Sequence, residues 1–131
     1  MRQPWVELIL RGVKTIEVRS QNTRVRGIIY LYASKKFSEL PAAKAAARRH
    51  DFDFTGLSTG RLVGSVEIFN ARPATPRDAT AACVPAGLLS QKFAWELRNP
   101  VRFIEPMGVR FLPYGIWFYP YRRRAGRPAR R

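Results

Sequence analysis

Runs of β-branched, aromatic and alternating residues mark most of this chain as short strands. In Val13–Arg19, positions Val13, Thr15, Glu17 and Arg19 would share one face, with Lys14, Ile16 and Val18 on the other, because successive strand side chains point to opposite sides. Gly27–Ala33, rich in Ile, Leu and Tyr, reads as a second strand. Arg61–Ala71 reads as an inner strand, with Leu62, Val66 and Ile68 in an apolar run that also holds Glu67. Phe93–Arg98 and Val101–Ile104 are further candidates, and Gly115–Tyr119 is the last.

Helical spacing appears twice. Pro4–Leu10 places proline in a first turn, lets Val6, Ile9 and Leu10 share a face, and has Gly12 to end it. Ser38-Glu39-Leu40-Pro41 opens an alanine-rich helix that runs to about His50 and carries Lys44, Arg48 and Arg49. Asp51–Gly60 reads as a loop, and Pro73–Gly87, with three prolines, as a loop holding at most a short helix. There is no internal repeat. Short strands without regular intervening helices predict an α+β domain, a small mixed β-barrel or half-barrel, rather than a parallel α/β sheet. With 131 residues the chain suits one domain with a real core. We assign residues 1–121 to that domain and 122–131 to an arginine-rich tail, expected to be disordered by itself.

Charge changes the picture. The net charge is +15, and six arginines of the tail account for part of it, leaving +9 for residues 1–121. A basic body as well as a basic arm implies salt-sensitive affinity for phosphates. Arginine outnumbers lysine 19 to 5, which suits bidentate phosphate contacts and stacking, although a GC-rich genome would also raise arginine. No apolar run approaches the roughly 18 residues of a membrane span, and no basic-then-apolar leader precedes the first helix. The lone Cys83 excludes an internal disulfide and a cysteine-based metal site, so cytoplasm is the expected compartment. No metal or cofactor is expected.

The candidate chemistry is concentrated between Gln3 and Gly27. Lys14, Thr15, Glu17 and Arg19 place base, hydroxyl and acid on one segment, suited to a polar, planar or phosphorylated ligand; the alternative is a structural Glu17–Arg19 pair with Lys14 in solvent. Arg24 and Arg26, beside Gly27, could clamp a phosphate or form a solvated turn. Among the aromatic residues, Trp95 and Trp117 are expected in the core, while Trp5, beside the motif, is the candidate ligand wall. His50, the single histidine, is followed by Asp51 and Asp53; helix-end capping is favoured over a metal role.

Gln3-Pro4-Trp5, Gly12-x-Lys14-Thr15-x-Glu17-x-Arg19 and Arg26-Gly27 together closely resemble the ASCH (activating signal cointegrator homology) family of the PUA-like superfamily. Phe93-x-Trp95-Glu96-Leu97, Pro100, Pro106 and Gly115-Ile116-Trp117 supply a second match. The resemblance implies a PUA-like barrel of five or six strands with two or three flanking helices. It also implies a cavity lined by the lysine-to-arginine motif, with Ser34 and Lys35 near its mouth. Members usually carry a strand before the Gln-Pro-Trp helix, whereas only Met1 and Arg2 precede Gln3 here. That predicts an open edge at which a dimer could form.

These features predict a nucleic-acid-binding domain, for RNA in preference to DNA, with Trp5, Lys14, Glu17, Arg19, Arg24, Arg26, Ser34 and Lys35 as ligand contacts. An enzyme using Lys14, Thr15 and Glu17 is the alternative. Related amidohydrolases that deacylate a modified cytidine keep a lysine at position 14, but their threonine falls where Glu17 stands here. Other ASCH proteins are linked to RNA cleavage, in which Lys14 would stabilise a phosphorane and Glu17 or a tyrosine would act as base. A protein-interaction module is the third reading.

Overall fold

The computed structural model describes residues 1–53 and 56–108. Its elements are α1 (Trp5–Leu10), β1 (Ile16–Arg19), β2 (Gly27–Ala33), α2 (Pro41–Arg49), β3 (Arg61–Pro73), α3 (Ala79–Ala82) and β4 (Phe93–Met107). Two 3₁₀ turns, Pro76–Asp78 and Ala86–Leu89, flank α3. The strands form one sheet in the order β1-β4-β3-β2, antiparallel throughout.

Alternation along β2 and β3 decides which face is covered. Ile29, Leu31, Val66 and Ile68 turn inward and meet Val6 and Ile9 of α1, with Trp95 and Leu97 of β4 completing the cluster. Burying each such aliphatic side chain is worth about 1.5–3 kcal/mol. Ile28 and Tyr30, one position out of phase, are exposed. The expected burial of Trp95 holds, and its indole N–H donates to the Gln21 carbonyl at 3.1 Å.

Several expectations are corrected. The α+β class holds and the architecture fits a small mixed fold, but among the described residues the sheet has four strands, all antiparallel, and is not closed. The two strands expected at 93–98 and 101–104 are one continuous strand. Asn99 takes a left-handed conformation within it (φ +55°), and the register with β3 shifts, so the strand bends without ending. β1 starts at Ile16, not Val13. The strand expected at Gly115–Tyr119, Trp117 and the arginine tail lie outside the described residues. The short segment before α1 is held against the end of β2: Ser34 N–H donates to the Met1 carbonyl at 2.8 Å, and the Met1 ammonium donates to Tyr32 O and Ser34 Oγ.

Candidate nucleic-acid-binding cleft

Gln3 explains why the Gln-Pro-Trp start is built as it is. Its side chain is fully buried; Oε1 accepts the Glu7 N–H at 2.9 Å and Nε2 donates to Ser58 O at 3.1 Å. Its carbonyl accepts the Ser38 N–H at 2.8 Å. One residue thus ties the first turn of α1 to two loops, and residues 38–40 come to face Trp5 across a cleft of about 740 Å³. Glu17, Val18 and Arg19 of β1 form one wall, Met1, Arg2 and Ser34 another.

The turn after α1 decides the position of Lys14. Gly12 adopts φ +78°, donates to Ile9 O, and lets both Val13 and Lys14 donate to Leu8 O at 3.0 Å. Lys14 therefore belongs to the turn rather than to the strand, and the two-residue alternation does not reach it. Its side chain folds inward, only 3% exposed. Nζ donates to Ala82 O at 2.5 Å, stands 3.8 Å from Glu17 Oε1, and lies 5.1 Å from the centroid of the Trp5 ring. The reading that leaves Lys14 in solvent is overturned. Burial pushes the Lys14 ammonium below the ordinary lysine range, and Arg19 adds to this; Glu17 and Cys83 oppose it.

Thr15 departs from the alternation as well. Its N–H donates to Ala81 O and its carbonyl accepts from Leu97, both at 2.9 Å, leaving the side chain exposed and outside the cleft lining. Glu17 and Arg19 do share a face, with Arg19 Nε 2.8 Å from Glu17 Oε2. That approach is an ion contact not aligned as a hydrogen bond, so the buried Nε–H has no acceptor. The Arg19 guanidinium also lies 5.8 Å from the Trp95 ring centroid.

The other predicted contacts divide. Trp5 and Ser34 line the cleft. Arg24 and Arg26 sit on the exposed loop leading to β2, and Arg26 Nη1 donates to the carbonyls of Thr23 and Val25 in its own loop. Lys35 is exposed, with its aliphatic stem beside Gly60, and is not among the lining residues. His50 caps the end of α2, as expected, and among the described residues no cluster of His, Cys, Asp or Glu could hold a metal ion.

Sequence reasoning missed Met1, Arg2, Val18, Ser38, Glu39 and Leu40, which complete the cleft. Residues 38–40 carried only the signal of a helix start, and nothing local marks that start as facing Trp5. Also missed was the fate of the acids. Glu7 is clamped by both terminal nitrogens of Arg102 at 2.9 Å and by Arg11 Nε at 2.6 Å. Arg72 holds Asp78 through two 2.9 Å bonds and Glu96 through a third, and Arg98 pairs with Glu67. With Glu17 included, at least five of the nine carboxylates are paired with cations of the same domain.

An open antiparallel sheet backed by α1, with a polar cleft at the lysine-to-arginine motif, makes this a small α+β domain. The ASCH domain model matches residues 1–107, and the chain belongs to the ASCH domain family. Activating signal cointegrator 1 of Mus musculus is 35% identical over 77 residues, covering 53% of this chain and 13% of that relative. The Homo sapiens protein of the same name is 34% identical over 77 residues, with the same coverage. The chain thus corresponds to a small part of those longer relatives. Among the described residues no helix is long and apolar enough to cross a membrane.

Proposed function

We propose that this chain is a nucleic-acid-binding ASCH module, selective for RNA, whose cleft receives a single splayed nucleotide. The observation that carries the reading is the Trp5–Glu17–Arg19 wall. A half-buried indole is braced from behind by the Lys14 ammonium, beside a carboxylate and a guanidinium on adjacent same-face positions of β1. A base would stack on Trp5, its amino group would donate to Glu17, and its carbonyl or phosphate would accept from Arg19. Arg24 and Arg26, on the neighbouring loop, and Lys35, beyond Ser34, would follow the backbone as it leaves the cleft. The arginine tail would add sequence-independent affinity. The reading includes a cytoplasmic domain over residues 1–121 that works as a monomer or pairs through its open sheet edge.

Binding is favoured over catalysis because Lys14 does not line the cleft; Trp5 and Glu17 stand between it and a ligand. Thr15, the candidate hydroxyl, is outside as well. Lys14 is therefore a positioning residue for Glu17 and Trp5 in this reading. Full-length protein with labelled single-stranded RNA and DNA, scored for both affinity and strand integrity, tests it. RNA should bind more tightly, Glu17→Ala and Arg19→Ala should each weaken binding by about tenfold or more, and the strand should stay intact. Cleavage abolished by Lys14→Ala would establish a ribonuclease instead.

A further inference from the structure

A second cleft lies between Val13, the end of α2 and the segment around α3. It has a volume of about 490 Å³ and shares no lining residue with the first. Val13, Ala79, Val84 and Pro85 give it apolar surfaces, the first three half-buried. Arg49 and His50, at the end of α2, and the Thr80 hydroxyl of α3 supply its polar groups. No carboxylate lines it. Arg49 makes no ion pair among the described residues, in contrast to Arg11, Arg72, Arg98 and Arg102, whose charges are taken up by carboxylates.

We infer that this cleft is a second ligand site, taking a flat apolar group that carries a phosphate or carboxylate. The volume lies within the range of small-molecule pockets, which combine apolar walls with a few convergent polar groups. Arg49 offers a planar fork of donors matched to either anion. The His50 imidazole offers an N–H donor in either protonation state, and Thr80 adds a hydroxyl. Charge complementarity sets the sign of the ligand, and the apolar surface requires that the anion be attached to a ring or a short hydrocarbon. An inorganic anion would leave that surface wet, and an uncharged ring would leave Arg49 without an anion. Val13, at the rim of this cleft, is fixed by its N–H bond to Leu8 O and by the adjacent Lys14–Ala82 bond. This inference does not depend on nucleic acid binding in the first cleft.

His50 is the one histidine in the chain, so its imidazole C–H resonances report the site without assignment ambiguity. The full-length protein would be titrated with phenyl phosphate, benzoate, inorganic phosphate and phenol. Phenyl phosphate or benzoate should shift those resonances saturably, binding about tenfold or more tightly than either phosphate or phenol. Whichever binds more tightly identifies the anionic group. Arg49→Gln should weaken the preferred probe by about tenfold, Thr80→Val by less, and Glu17→Ala in the first cleft should leave it unchanged. Equal affinity for phosphate and phenyl phosphate would reduce the site to surface charge. Equal affinity for phenol, or an unaffected Arg49→Gln, would also overturn the assignment.

Discussion

Lys14 Nζ stands 3.8 Å from Glu17 Oε1, with the lysine only 3% exposed and the glutamate at the cleft wall. A buried ammonium with one neighbouring carboxylate depends on that partner, because removing one member leaves an uncompensated charge. Glu17→Gln should therefore destabilise the fold by about 1–3 kcal/mol. Lys14→Met, which deletes the charge and keeps most of the volume, should cost less. Denaturant midpoints of the two variants check the order; the reverse order would mean that the pair does not hold Lys14 in place.

Acid should unfold the domain in a defined window. Arg72 holds the Asp78 carboxyl at a pKa of about 2, against an ordinary 3.8. Burial pushes the Glu7 carboxyl up, but its bonds to Arg102 and Arg11 outweigh that and leave it below 4.5. Both carboxyls bind protons more weakly when folded, so their contribution is complete above about pH 5 and is lost as pH falls towards 2. Asp78→Asn should lower stability at neutral pH and flatten the loss below pH 4, measured by denaturant titration across pH. An unchanged slope would remove Asp78 from this account.

Gly64 lies in β3 opposite Arg102 of its ladder partner β4. A Cβ built there would approach Val101 O to 2.3 Å and Leu10 Cδ2 to 2.6 Å. The obstacle on one side is backbone in a paired strand, which cannot give way without breaking the ladder. Gly64→Ala should cost about 1–3 kcal/mol or more, whereas Gly87→Ala, with nothing within 4 Å, should be near neutral. Thermal melts of the two variants compare them directly.

Trp5 separates stacking from packing. If the indole is the base platform, Trp5→Ala should weaken RNA binding by about 1–3 kcal/mol, and Trp5→Phe should recover part of it. Because the ring is only half-buried, stability should fall less than affinity does. Isothermal titration beside a denaturation curve distinguishes the two; loss of stability with affinity retained would move the ligand elsewhere.

Salt dependence should divide between tail and body. Deleting residues 122–131 removes six arginines, and each phosphate contact on a single strand contributes about 0.7 to the slope of log affinity against log salt. The slope should fall by up to about 4 on truncation, while the Glu17→Ala effect persists. Binding that disappears altogether with the tail would leave the cleft without a nucleic acid ligand.

How much of this was legible beforehand depended on whether the information was local. The second strand was read as Gly27–Ala33 and forms over those residues, because its apolar alternation and the glycine at its start, where φ reaches +114°, are properties of the segment itself. The same holds for β3, α1, α2 and the pairing of Glu17 with Arg19 two positions apart. Family membership was legible for the same reason, since the motif is a contiguous spacing of residue types.

Tertiary structure alone decided the rest. Alternation predicted Thr15 with Glu17 and Lys14 opposite, but it applies only where a strand ladder fixes the backbone. The turn at Gly12 delays that ladder to Ile16, so Lys14 swings in beside Glu17 and Thr15 is left outside. Glu7 finds Arg102 across 95 positions of sequence, and residues 38–40 meet Trp5 because Gln3 binds their backbone. Spacing along a chain reports which side chains share a face. Which faces meet, and which charges they enclose, is set by turns and buried hydrogen bonds that join segments far apart.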